Sequence, residues 1–179
     1  MTQVHVAKTA AVCVAADVRG AVAVGERCAV HPGATLRAEG GAIELGERCF
    51  VEDGAVLAAE GGDMRVGSNN LFESGCVVRS ARVGDGNLFE PKAEARAGSV
   101  VGSNCLIGSG VVVAAGERVP DNSILVAVQT PQGEMRRITR QQKDYLVKTH
   151  AALIQKYADI FPRGSKSPYA LEKHHELRQ

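Results

Sequence analysis

Residues 83–125 read Val83-GDGNL-Phe89-EPKAE-Ala95-RAGSV-Val101-GSNCL-Ile107-GSGVV-Val113-AAGER-Val119-PDNSI-Leu125. An apolar residue returns at every sixth position, and only Ala95 is smaller than Val. A helix face needs spacings of three and four, and a half-buried strand needs strict alternation, so a period of six fits neither. It fits a coil of short flat faces, each spending six residues on a strand and a corner. Three faces make an 18-residue rung, and stacked rungs pair backbone to backbone at about 4.8 Å.

The register extends upstream as Val6, Val12, Val18, Val24, Val30 and Leu36, then Leu45, Val51 and Leu57, then Val66, Phe72 and Val78. Residues 6 to 125 supply six or seven rungs. The spacing widens to nine around Glu39-Gly40-Gly41 and again around Glu60-Gly61-Gly62-Asp63, which predicts two small loops protruding from corners. Gly25, Gly46, Gly67, Gly84, Gly102 and Gly108 each directly follow a register residue, as tight repeated corners with positive φ or close backbone approach require. The expected fold is all-β, a parallel β-helix over residues 1–130.

Composition agrees. The 179 residues are 45% apolar but only 4% aromatic, with no Trp and 20 Gly. A core without rings must be filled by small repeating side chains. A charged fraction of 23% and a net charge of +1 exclude a disordered polyelectrolyte. No apolar run approaches the roughly 18 residues of a membrane span, and no signal-peptide pattern opens the chain, so a soluble intracellular protein is expected.

Residues 131–179 are expected to form a linker, an amphipathic helix and a basic tail. Gln129-Thr130-Pro131-Gln132-Gly133 reads as linker, and Thr139 with Gln142 forms a capping-box pattern. Leu146, Thr149, Leu153, Tyr157 and Ile160 then recur at helical spacing, with Pro162 and Gly164 ending the helix, which is expected to lie along the solenoid or cap it. Residues 134–179 carry ten Lys/Arg against five Asp/Glu, and residues 1–133 carry eleven against fifteen. Aromatic interleaving is missing from the basic segment, which argues against nucleic acid. Ser167-Pro168 is a minimal proline-directed phosphorylation pattern, and His174-His175 reads as tail rather than ligand.

Cys13, Cys28, Cys49, Cys76 and Cys105 include no CxxC pair, and their number is odd. Four of them lie four residues after a register residue, a slot shared with Ala34, Ala55, Asn87, Ala93 and Ser99. They therefore read as small core fillers in a reducing compartment. His31, directly after Val30, is the one solenoid histidine weighed as a general base, and its offset reads as solvent-facing.

Hexapeptide solenoids of this kind resemble the left-handed parallel β-helix superfamily, from which the handedness is taken. Val30-His31-Pro32-Gly33-Ala34-Thr35-Leu36-Arg37 and Glu52-Asp53-Gly54 are similar to the opening rungs of the γ-class carbonic anhydrases. The resemblance puts Ala58, Ser74 and Arg79 where that class has three zinc-binding histidines, and it leaves Arg37 and Asp53 as a structural charge pair. A hexapeptide acyltransferase working through His31 is the other enzymatic alternative.

A more specific resemblance is to the dynactin subunit 6 family. It rests on Ala29-Val30-His31-Pro32, on residues 38–47, and on Gly67-Ser68-Asn69-Asn70-Leu71-Phe72-Glu73-Ser74-Gly75-Cys76, which matches the family rung Gly-x-Asn-Asn-x-Phe-Glu-x-Gly-Cys. It continues through residues 83–93 and 119–124, while the loop after Leu57 is shorter than in animal members. The resemblance implies a non-catalytic scaffold in the cytoplasm and cytoskeleton, with no catalytic residue, cofactor or metal. The implied partners are dynactin subunit 5, an actin-related protein and a larger zinc-binding subunit, and through them dynein and its cargo adaptors.

Overall fold

The computed structural model describes residues 4–142 and 144–160. Three columns of parallel strands form the faces of a solenoid of about seven turns. The first face stacks β1 (Val4–Val6), the end of β3 (Asp17–Val24), the end of β5 (Thr35–Leu45), β8 (Met64–Val66), β11 (Arg82–Val83), β14 (Val100–Val101) and β17 (Arg118–Val119). The second stacks β2 (Ala11–Val12), β4 (Ala29–Val30), β6 (Phe50–Val51), β9 (Leu71–Phe72), β12 (Leu88–Phe89), β15 (Leu106–Ile107) and β18 (Ser123–Gln129). The third stacks the starts of β3 and β5 on β7 (Val56–Ala59), β10 (Val77–Val78), β13 (Glu94–Ala95) and β16 (Val112–Val113). Every register residue points inward and is buried, except Val18, which is half-buried at the N-terminal end.

The corner glycines that directly follow a register residue are explained by close backbone approach and not by positive φ. Gly84 does not have positive φ; it is small because a Cβ there would lie 2.7 Å from the carbonyl oxygen of Gly102 in the next rung. The left-handed residues of that corner stand two positions further on, at Arg27, Arg48, Asn69, Gly86, Asn104 and Asn122. Between the second and third faces the left-handed position is held by Gly33, Gly54, Gly75 and Gly110, but by Lys92 (φ 61°) in one rung. A Cβ in that conformation costs about 1–2 kcal/mol, partly offset by the chain entropy a glycine loses on folding. Lys92→Gly is therefore expected to raise stability by about 0.5–1 kcal/mol, read as a higher urea midpoint.

The two widened gaps nest on each other rather than protruding separately. Glu39-Gly40-Gly41 stays extended inside β5, and Gly40 packs so closely on the bend at residues 60–63 that a Cβ would meet the Glu60 carbonyl at 2.4 Å. The Ala42 amide donates to Asp63 Oδ1 at 2.9 Å and locks the pair.

The segment after the repeat also departs from expectation. Thr139 caps no helix; it lies in β19 (Met135–Gln141), which pairs antiparallel with β18 in the register Leu125↔Thr139. The expected linker is the hairpin turn, closed by the Thr130 amide on the Glu134 carbonyl at 2.8 Å. Antiparallel pairing over seven residues forms several backbone hydrogen bonds at the end of the second face, which outweigh one capping bond at Thr139. The helix, α1 (Asp144–Ile160), begins only after that strand. Pro162, Gly164, Ser167-Pro168 and His174-His175 lie outside the described residues.

Candidate functional site

Each face presents a different outer column, and these columns make the candidate sites. On the second face the outward residues are Ala11, Ala29, Phe50, Leu71, Leu88, Leu106 and Ile124, one position before each inward register residue. All are apolar, so this face must be covered. α1 covers it. Ile154 is buried against Ala29, Phe50 and Leu71, with Leu88 alongside, and His150 Nε2 lies 3.2 Å from the Asn69 carbonyl. The Gln142 amide donates to the Asn122 carbonyl near the far end, so the helix runs back toward the N-terminal rungs. Its 17 residues span about 25 Å, or about five rungs.

The expected helix face was rotated from the real one. Leu153 is 38% exposed while Ile154 is 1% exposed, and the side chains of Leu146, Tyr157 and Ile160 lie outside the described residues. The outward apolar column was the missed signal that fixes where α1 lands.

Burial holds His150 below its ordinary value of 6.5, against an opposing contribution from the Asn69 carbonyl, and burial lowers His31 as well. A histidine kept neutral by the fold is protonated first in the unfolded chain, so stability is intact above 6.5 and is lost as pH falls below it. The urea midpoint is expected to drop between about pH 7.5 and about pH 5.5, and His150→Gln to remove part of that drop, leaving the share from His31. Asp17 and Glu117 are shifted downward, so they act at lower pH than this window.

At the corner before the second face runs a buried polar column of Cys28, Cys49, Asn70, Asn87, Cys105 and Ser123. The Sγ atoms of Cys28, Cys49 and Cys105 donate to the carbonyls of Gly46, Gly67 and Pro120 at 3.0, 3.1 and 3.2 Å. Asn70 Nδ2 donates to Gly67 and Gly84 carbonyls, both at 2.9 Å, and its Oδ1 accepts the Asn87 amide at 2.8 Å. These cysteines are more than fillers: they satisfy corner carbonyls. All five are buried and outside any disulfide; burial pushes the Cys76 thiol to about 12 and those of Cys49 and Cys105 upward, so these three are poor nucleophiles, whereas the hydrogen bond with Cys49 holds the Cys28 thiol below its ordinary value.

The positions matched to the zinc ligands lie on two adjacent rungs. Ala58 and Arg79 follow the paired register residues Leu57 and Val78 on the third face, whereas Ser74 sits at the preceding corner. Ser74 donates its amide and hydroxyl to Glu52 Oε2 at 3.1 and 3.0 Å. Arg79 pairs with Glu60 at 2.8 Å and Glu94 at 4.0 Å, and Arg96 also meets Glu94. Arg37 pairs with Asp17 at 3.2 Å, not with Asp53. A methyl group, a hydroxyl and a cation cannot supply the neutral nitrogen donors that acidify a zinc-bound water. Among the described residues, no group of three or more His, Cys, Asp or Glu is arranged to hold a metal ion. His31 is half-buried rather than solvent-facing, with Glu52 and Asp53 as its charged neighbours.

No protein-family model matches the chain. It is 33% identical over 161 residues to "Dynactin subunit 6" of Danio rerio, covering 81% of this chain and 83% of that protein. Among solved structures it is similar to a hexapeptide transferase family protein from Anaplasma phagocytophilum, with a TM-score of 0.58, 19% identity and coverage of 87% and 89% of the two chains. It is also similar to a GDP-perosamine N-acetyltransferase from Caulobacter crescentus solved with CoA and GDP-perosamine (TM-score 0.51, 19% identity, 76% of this chain and 58% of that one). Those two likenesses establish the fold as a left-handed hexapeptide-repeat β-helix.

Proposed function

The chain belongs to the dynactin subunit 6 family, and we propose that it is a non-catalytic structural subunit of the dynactin pointed-end complex, supporting dynein-based movement and cargo-adaptor binding. The observation that carries this reading is the breadth of the match, which takes in four-fifths of both chains and therefore most of the solenoid rather than one rung. The chemistry at the replaced ligand positions is in keeping with it. Ala58, Ser74 and Arg79 offer packing, a hydroxyl already donated to Glu52 and an ion-paired guanidinium.

In this reading the body over residues 1–130 presents its faces to other subunits, while residues 131–179 add the hairpin strand, the bracing helix and a basic tail. The direct partners are dynactin subunit 5, the actin-related protein and the larger zinc-binding subunit; dynein and adaptors are reached through them. The location is the cytoplasm, on the cytoskeleton. No cofactor, metal or catalytic residue is assigned.

Affinity purification of the tagged protein from its own cells tests the reading. Co-purifying dynactin subunits are expected. Recovery of none of them, from cells whose dynactin is intact, overturns it. Calorimetry with acetyl-coenzyme A adds a second arm: saturable binding, lost in His31→Ala, would make the chain a transferase instead.

A further inference from the structure

The outer column of the first face is neither apolar nor balanced in charge. At consecutive rungs it presents Arg65, Arg82, Val100 and Arg118, in direct cross-strand register. Arg65 reaches Glu44 only at 3.7 Å. Among the described residues, neither Arg82 nor Arg118 has a carboxylate within ion-pair distance. The acids along the rims are held by other groups than these arginines. Asp63 accepts the Ala42 amide, Asp85 the Ser68 amide and Asp121 the Ser103 amide, while Glu117 is held by Arg137 at 2.8 Å. Between these two arginines lies an open depression of about 540 Å³ floored by Val100, Gly84 and Gly102, with Asp121 at its rim.

The second face shows what fits such a surface: a helix laid along the solenoid axis, as α1 is. From this shape and the guanidiniums of Arg82 and Arg118, which no carboxylate of the described residues pairs, we infer that the first face is a docking surface for an acidic helix of a partner protein. The spacing selects the sequence of that helix. Rungs repeat at about 4.8 Å, so Arg82, Val100 and Arg118 stand about 4.8, 9.6 and 14.4 Å beyond Arg65. Helix positions i+3, i+7 and i+10 stand about 4.5, 10.5 and 15 Å beyond i, and all four fall within about 80° of one another. The matching stripe is acidic at i, i+3 and i+10, with an aliphatic residue at i+7 over Val100. Carboxylates at those sites meet exposed guanidiniums, an arrangement that sets orientation and on-rate as much as affinity.

The test needs no dynactin, so its outcome is separable from that of the proposed function. The probe is a labelled, end-capped alanine-based helix of about eighteen residues with Glu at i, i+3 and i+10 and Leu at i+7. Its control has the same composition with the Glu residues moved off the stripe. Fluorescence anisotropy at low salt against the full chain is expected to show saturable binding, about tenfold tighter than the control. Arg82→Glu with Arg118→Glu is expected to weaken it by about tenfold or more at an unchanged melting temperature; Arg82→Gln with Arg118→Gln serves should that variant fail to fold. Equal binding of both peptides, no binding at about 100 µM, or full binding by the folded double variant would overturn the inference. So would a single-stranded oligonucleotide that binds as tightly as the peptide, because the face would then be a general polyanion surface.

Discussion

Asn70→Ala is expected to lower the unfolding free energy by about 3–5 kcal/mol, the loss of several buried hydrogen bonds at once. Asn70 is fully buried at the corner where the first face turns into the second. Its amide nitrogen holds the carbonyls of Gly67 and Gly84, which belong to successive rungs, and its oxygen holds the Asn87 amide. Alanine fits the space but leaves the Asn87 amide and the Gly84 carbonyl facing each other without water, while the Gly67 carbonyl keeps only the Cys49 thiol. Each stranded group costs about 1–3 kcal/mol. Asn70→Cys is expected to recover part of the loss, because Cys28, Cys49 and Cys105 perform one of these bonds in neighbouring rungs. Urea denaturation of the three proteins checks the order. An alanine variant within about 1 kcal/mol of the parent would mean that the corner carbonyls are satisfied without this column.

The inward register was legible in the sequence because one rule, a small apolar residue every sixth position, is imposed at each turn by a core of fixed width. Legibility fell where two rules competed. At Thr139 a local capping pattern met the unfinished edge of β18, and the edge won by pairing seven residues. At Glu39-Gly40-Gly41 the widened spacing suggested a loop, yet stacking on the bend at residues 60–63 kept the chain extended. Both outcomes depend on what lies one rung away, which periodicity along the chain does not express.

The outer columns were equally readable and went unread. Residues one place before the register sort by face into an apolar set (Ala29, Phe50, Leu71), a set that is arginine-rich over its later rungs (Arg65, Arg82, Arg118, with Val100) and a mixed set (Asp17, Val56, Glu94). Sorting them requires knowing that the period is three faces rather than one. Once it is known, the docking face of α1 follows from composition alone. The replaced ligand positions show the reverse. A family resemblance named Ala58, Ser74 and Arg79 as replaced ligand positions, and what they do instead, Ser74 bonding Glu52 and Arg79 pairing with Glu60 and Glu94, depends on neighbouring rungs.

Phe72→Ala is expected to cost about 3–5 kcal/mol, toward the upper part of the range for large-to-small core changes. Phe72 is fully buried and stacks on Phe89 with ring centroids 5.1 Å apart and planes 23° from parallel. Its cross-strand neighbour on the other side is Val51. The cost of a deletion depends on how far the surroundings collapse into the space. Here collapse is resisted, because β6, β9 and β12 are held at the ladder spacing of about 4.8 Å by their own hydrogen bonds. The void therefore persists between Val51 and Phe89. Phe72→Leu keeps most of the volume and is expected to cost under about 1.5 kcal/mol. In a solenoid each rung contacts only its neighbours, so a weak central rung also divides the cooperative unit. The alanine variant is expected to broaden the unfolding transition as well as shift it, with hydrogen exchange accelerated first at β6, β9 and β12. A variant that loses under about 1 kcal/mol and keeps a sharp transition would show that the rungs relax into the space, and that the aromatic stack does not set the strength of the middle of the solenoid.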